Sequence, residues 1–350
     1  MSQPNVMTGV YLHGHGGPDQ LRIHHDIAVP VPESGEVLIR VGGSSVNNTD
    51  INTRTGWYSR GSSPREGSWS GTSISFPRIQ GADCCGQIEA IGEGVPRSRV
   101  GQRVLVRTMQ DPIIRDGTSH AVTLGSEIDG GFAQYTKVRA SEALPVESDL
   151  ADVELASFPC AYSTALGLIS RAGLREENVL ITGASGGVGS AALQIAVSLG
   201  AHVVASSRSV HHSALLSLGA SVVIDRDEEL LDHVDPGSLD LVVDVVGGDG
   251  FGSRLKVLRP GGRYVTSGAV GGAIVPLDLR DVYLRDLTLI GCTFHPRSVF
   301  EQMIELIENH TIKPLIAASY PLTDIHSAQE RFSRGDFVGK IGIEVSPPHA

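Results

Sequence analysis

Cysteine is scarce in this chain. Four in 350 residues are too few for a disulfide scaffold, and no C-x-x-C spacing occurs, so the four closely set thiolates of a structural zinc site are missing. A basic surplus is missing too. Lys and Arg number 28 against 39 Asp and Glu, a formal net charge of -11. That balance repels phosphate backbones and anionic lipid, which argues against nucleic acid or membrane as the main partner. The opening MSQPNVMTGVYLHGHGG has neither a basic start nor an apolar run of signal length, so a cytoplasmic setting is expected. Asn178 to Ser207 carries no formal charge, yet TGASGGVGS at its centre would interrupt a membrane-spanning helix. There is no internal repeat and no low-complexity tail.

At this length two domains sharing a sizeable core are expected. EVLIRVGG, GQIEAIGEG, VGQRVLVR and GGFAQYTKV read as short strands between glycine turns, the texture of a mostly antiparallel, barrel-like unit. Residues 59–75, SRGSSPREGSWSGTSIS, read as an exposed loop with Trp57 and Trp69 near its ends. From about Asp152 strands alternate with helices: VLITG, SAALQIAVSLG, HVVAS, HHSALLSLG, SVVID, DLVVDVVG, GRYVTSG. This alternation predicts a parallel sheet covered by helices. Ala192, Ile195 and Leu199 fall on one helix face, and Gly200 stands where a C-terminal cap belongs. VFEQMIELIENH reads as a further amphipathic helix, and GKIGIEV as a last strand.

The segment that carries chemistry is ITGASGGVGSAALQIAVSLGAHVVASS. A strand runs into a glycine turn, and the turn opens a helix. Gly186 and Gly187, with Ser185 and Val188 beside them, let backbone approach a pyrophosphate, and Gly189 lets helix pack on strand. The helix start supplies free N–H groups, so a dinucleotide is the expected ligand. Cofactor choice is read at the end of the second strand, where NAD-preferring enzymes place an acid. Here Ser206, Ser207 and Arg208 stand, and Arg208 can grip a 2′-phosphate. NADPH is therefore expected, with NADH second. His211 adds charge if protonated, Asp225 opposes phosphate, and Arg208 capping a surface turn is the alternative.

GASGGVGSAALQIAVSLGA resembles the cofactor turn of the medium-chain dehydrogenase/reductase family. SSVNNTDINTRTGWY, FPRIQGADCCGQIEAIGEGV, VGQRVLV, ASFPCAYSTALGLI, VVDVVGG, LRPGGRYVTSGA and VGKIGIEV match the family in order. The resemblance implies an α/β protein with a Rossmann domain, residues 152–296, inserted in a GroES-like barrel built from residues 1–151 and 297–350, with substrate in the cleft between them. It also implies a homodimer, with DLTLIGCTF near the Rossmann edge. Where zinc-dependent members carry their catalytic ligands, this chain has Asn47, then Ala82 with Asp83, then Cys160. Only Cys160 matches, so no zinc is expected. Cys84 and Cys85 read as small strand residues facing opposite sides. A private metal site of Asp83, Cys84 or Cys85, and Cys160 is the alternative. The adjacent pairs His24–His25 and His211–His212 lack a ligand-like partner motif.

Without a Lewis acid, the fitting acceptor is one that delocalises incoming charge, a quinone or an α,β-unsaturated carbonyl. The chain resembles the zinc-free quinone oxidoreductase branch in this respect. That resemblance makes Asn47 and Tyr58 candidates to orient or protonate the acceptor, with Arg54 and Asp50 positioning their loop. The branch often has a tyrosine where Asn52 stands. The resemblance also implies Thr164, Val245, Val246, Gly268, Ala269 and Lys340 as cofactor neighbours. For Asn47 a turn-stabilising side chain, for Tyr58 packing on Trp57, and for Lys340 a solvated charge are the bland readings. A zinc-dependent alcohol dehydrogenase with an unusual ligand set and a non-enzymatic dinucleotide-binding protein are the alternative functions.

Overall fold

The computed structural model describes residues 4–59, 74–115 and 117–345. Trp69 and most of the loop expected at 59–75 lie outside them, while Trp57 is exposed. The chain divides into two units. The first holds the described residues up to Cys160, Pro314–Gly335 and those from Lys340 on; the second holds Ala161–Lys313 and Asp336–Gly339. Both boundaries lie later than the sequence suggested, for packing reasons. The short helix Asp152–Leu155 rests on the strand Glu36–Val46, where a Cβ on Gly43 would come within 2.6 Å of Asp152 backbone. That approach ties residues 152–155 to the first unit. The helix Arg297–Glu308 buries Val299, Phe300, Met303, Ile304 and Ile307 and packs on the helix Ala161–Ala172 of the second unit.

In the first unit the sequence-predicted strands form one sheet. Its order is Ala143–Pro145, Arg103–Val106, Cys85–Ile91, Glu36–Val46, Lys340–Glu344 and Ile316–Pro321, with Tyr135–Arg139 also paired to Glu36–Val46. The closing strand pairs antiparallel with Glu36–Val46, Ile341 opposite Val46. This register sets Lys340 beside the end of that strand, next to Asn47. A second sheet joins Leu21–Ala28, Val6–Leu12 and Arg78–Ile79. Met109–Arg115 and Thr118–Thr123 make a hairpin.

In the second unit six parallel strands follow the order Val222–Asp225, His202–Ser207, Asn178–Ile181, Leu239–Asp244, Leu258–Thr266, Thr288–Gly291. In chain order this is 3-2-1-4-5-6, the Rossmann arrangement, with its switch point between the first and fourth strands. The helix Gly187–Ser198 buries Ala192 and Ile195. Leu199 is exposed, because the helix ends at Ser198 and Gly200 follows with φ +81°, the left-handed turn that favours glycine.

Candidate functional site

A buried polar cluster lies in the first unit. Asp83 is fully buried, and its Oδ1 accepts the Cys160 N–H at 2.7 Å. Its Oδ2 accepts from Ser45 Oγ, from Asn47 Nδ2 at 2.7 Å and from Lys340 Nζ at 3.2 Å. Lys340 also donates to Asn47 Oδ1, and Asn47 Nδ2 donates again to the Ser45 carbonyl at 3.3 Å. A buried carboxylate and a buried ammonium thus neutralise each other, with neutral donors filling the remaining lone pairs, the condition under which buried charge is tolerable.

Two of the expected site residues meet in this cluster. Lys340 is 2% exposed, so it is neither a solvated charge nor free to reach outward. The Asn47 amide has each polar atom engaged inside the cluster, so it presents nothing to an acceptor; its geometry suits positioning.

Asp50 lies beneath the cluster. Its Oδ2 accepts the Asn47 N–H at 2.8 Å and its Oδ1 the Ala82 N–H at 3.1 Å, which holds the start of the helix Asn48–Thr55. Burial pushes its carboxyl up to about 7, with Asp83 adding repulsion. Arg54 donates to Gln329 Oε1 at 3.1 Å and to the Gly16 carbonyl at 3.0 Å, a loop-holding role as expected. Tyr58 is half-buried; its hydroxyl accepts from Asn52 Nδ2 at 3.3 Å and donates to Thr49 Oγ1 at 3.2 Å. Burial raises its pKa above the ordinary phenol value, so the phenol stays protonated at neutral pH. Asn52, which stood out in the sequence only as a departure from the branch, orients this hydroxyl.

The residues here do not fit a zinc ion. Both Asp83 oxygens are occupied, an ammonium lies at 3.2 Å from one of them, and burial, with the Asp83 charge next, drives the Cys160 thiol well above its ordinary value. Among the described residues no three His, Cys, Asp or Glu side chains converge on a metal-sized site. Cys84 and Cys85 are buried and free, and Cys85 Sγ lies 3.6 Å from Asp152 Oδ1, away from any shared site with Asp83.

The second unit holds the other half of the chemistry, at the C-terminal edge of its sheet. Gly183 turns the chain at φ +57°, and a Cβ on Gly189 would lie 2.2 Å from the Gly183 carbonyl oxygen. Glycine at 189 is therefore required for the turn to close. A Cβ on Gly186 would meet that oxygen at 3.4 Å, ordinary contact, so the fold itself does not require glycine there. The first-turn N–H groups of Gly187, Val188 and Gly189 have no partner inside the helix, and this cradle fits a pyrophosphate. Ser185 lies in the same turn, and the Ala184 N–H donates to the Ser206 carbonyl at 3.1 Å, tying it to the next strand end.

That strand end carries Ser207, whose buried hydroxyl has no hydrogen-bond partner, then half-buried Arg208 and buried His211. Asp225 accepts N–H bonds from Ser209 and Asp227 at 2.8 and 3.0 Å; these bonds, that to Asp227 foremost, hold its carboxyl below the ordinary range. Val245 and Val246 follow the fourth strand and meet the loop of Gly268 and Ala269: a Cβ on Gly268 would come 2.7 Å from the Val245 carbonyl oxygen. Thr164 sits half-buried in the first turn of the helix Ala161–Ala172.

Sequence reasoning missed Asp244. Buried at the end of the fourth strand, it accepts from Thr182 Oγ1 at 2.6 Å, from the Val246 and Gly247 N–H groups at 2.8 and 3.1 Å, from Arg254 at 2.8 Å and from Tyr264. Burial alone would raise its carboxyl, yet Arg254 and these donors hold it below its ordinary value. It therefore anchors the switch-point loop as an ion. Its signal was an acid interrupting an apolar strand in DLVVDVVG.

Comparison with known proteins agrees with both halves. The alcohol dehydrogenase GroES-like domain family matches residues 33–148, and the zinc-binding dehydrogenase family residues 187–309. The chain is 30% identical to acryloyl-coenzyme A reductase of Metallosphaera sedula, over 96% of this chain and 99% of that one. It is 29% identical to quinone oxidoreductase of Mus musculus, over 96% of each. Among solved structures, an alcohol dehydrogenase candidate from Sinorhizobium meliloti 1021 superposes with a TM-score of 0.91 at 41% identity, covering 98% of both chains. A cobalt- and zinc-bound thermostable alcohol dehydrogenase from Pyrobaculum aerophilum superposes at 0.84 with 31% identity, covering 97% of this chain and 99% of that one. Similarity of this extent, on a dinucleotide turn and a switch point of the required geometry, means that the chain belongs to the medium-chain dehydrogenase/reductase family and is a nicotinamide-dependent oxidoreductase.

Proposed function

We propose that this protein reduces a quinone or an α,β-unsaturated carbonyl with NADPH and without zinc. The observation that carries the reading is the Lys340–Asp83–Asn47 cluster. It gathers the positions at which zinc-dependent relatives keep ligands, and it places an ammonium among them. Loss of the metal is thereby offset in charge without a Lewis acid to acidify an alcohol. The nicotinamide, when bound, supplies a hydride to the acceptor, and an activated alkene accepts it at the β-carbon while charge moves to the carbonyl oxygen. Tyr58, protonated at neutral pH, turns its single O–H from Thr49 Oγ1 to that oxygen, where it donates a hydrogen bond or gives a proton to the enolate. Thr49 and Asn52 aim it, and Asn47, held by Asp83 and Lys340, fixes the turn that carries the helix of Thr49.

Arg208, beside the partnerless Ser207 hydroxyl, favours NADPH over NADH by about 1.5–3 kcal/mol, the worth of one charge-assisted contact. A homodimer is supported by the strand Thr288–Gly291, which among the described residues pairs with one neighbour, and by exposed Ile274, Leu279, Leu284 and Leu289. No helix of the described residues is long and apolar enough to cross a membrane, and four free, buried cysteines suit the reducing cytoplasm. Initial rates on a panel of quinones, enones and simple alcohols, with each cofactor, test the proposal. Reduction of enones or quinones by NADPH, with no alcohol oxidised, is expected. Alcohol oxidation restored by added zinc would overturn it.

A further inference from the structure

His24, which in the sequence had only His25 for company, has a different partner in the fold. His13 follows the strand Val6–Leu12, held by its N–H to the Gln20 carbonyl at 3.0 Å, and His24 lies on the antiparallel strand Leu21–Ala28. Their Nε2 atoms are 3.2 Å apart. Both rings stand edge-on to Tyr11, with centroids at 6.1 and 5.3 Å, so one aromatic side chain braces the pair. Two imidazole nitrogens bound to one tetrahedral zinc at about 2.0–2.1 Å lie about 3.3–3.4 Å from each other. The observed separation is close to that edge, and a modest tilt of the rings, whose centroids lie 5.4 Å apart, turns both nitrogens toward one ion.

We infer that His13 and His24 form a two-histidine site for one divalent cation of the zinc, nickel and copper group, completed by water. Imidazole is the ligand these ions share. His13 is exposed and the His24 side chain is 35% exposed, which leaves room for the remaining water ligands. In the metal-free protein one neutral ring donates Nε2–H to the other. Metal binding needs both rings to carry hydrogen on Nδ1 instead. The Asp26 carboxylate, 3.9 Å from His24 Nδ1, has the charge and position that favour this tautomer. Arg22, whose charge acts on His13, is exposed, so solvent screens its repulsion of a cation. The site is built by the three-stranded sheet and uses none of the residues assigned to hydride transfer.

Calorimetric titration of the tag-free full chain with zinc chloride, repeated with nickel chloride, tests the site. One equivalent should bind, with affinity falling roughly tenfold or more in H13N and in H24N, as expected for losing one of two ligands. H25N is the control, since His25 Nδ1 faces Thr8 Oγ1 at 3.0 Å; it should bind as the parent does. Equal affinity of the parent, H13N and H24N, or absence of binding by the parent, overturns the inference.

Discussion

Replacing Lys340 by methionine keeps the length of the stem and removes the ammonium. Asp83 would retain Ser45, Asn47 and the Cys160 N–H but lose the only cation among its contacts, in a site where both partners are at most 2% exposed. Breaking a buried pair by removing one member costs about 3–5 kcal/mol, and the three surviving donors set the expectation near 3. D83N leaves Lys340 with Asn47 alone, at a similar cost. The double variant carries no unpaired charge, so its loss should fall short of the summed single losses by about 1.5–3 kcal/mol. Urea unfolding followed by tryptophan emission reports on the right unit, since Trp57 lies there. A loss below about 1 kcal/mol in K340M, or effects that simply add, would refute the pairing. The dinucleotide dissociation constant of K340M should stay within about threefold of the parent value, less than one hydrogen bond's worth.

The remaining predictions concern Tyr58, the glycine turn and Asp50. Y58F should lower kcat roughly 10- to 1000-fold with little change in the KM for NADPH, because its bond matters in the transition state. G189A should disrupt the turn, its Cβ meeting the Gly183 oxygen at 2.2 Å, and lower the thermal midpoint of the protein. G186A should keep the fold and weaken NADPH binding, which fluorescence titration reads. Asp50, raised from 3.8 to about 7, binds a proton in the folded state that the unfolded chain releases. Stability is therefore fullest below about pH 4 and declines as pH rises through about 7, by up to roughly 4 kcal/mol. D50N should flatten that decline in urea midpoints measured from pH 4 to 8.

The parallel half of the fold was legible because its signals are local. A strand, a glycine turn and a helix follow one another within thirty residues, and the Gly189 requirement is visible in the motif before any contact is known. The polar cluster was only half legible. Asn47, Asp83, Cys160 and Lys340 could each be named from the family pattern, but not as one cluster, for Lys340 lies 257 residues from Asp83. Its burial depends on a strand pairing that no local pattern specifies. The domain boundaries slipped for the same reason: Asp152–Leu155 looks like the start of the alternating region and yet packs on a glycine pair a hundred residues earlier. The His13–His24 pair leaves no spacing signal along the chain, because an antiparallel pairing joins residues across it.

The most direct test follows the hydride itself. The protein is dialysed against a strong chelator, its zinc content is measured, and it is given an enone with NADPH deuterated at the transferred C4 position. One deuterium is expected on the β-carbon of the saturated product, at a rate that chelation leaves unchanged. Absence of β-deuterium, or its appearance only after zinc is restored, would contradict it.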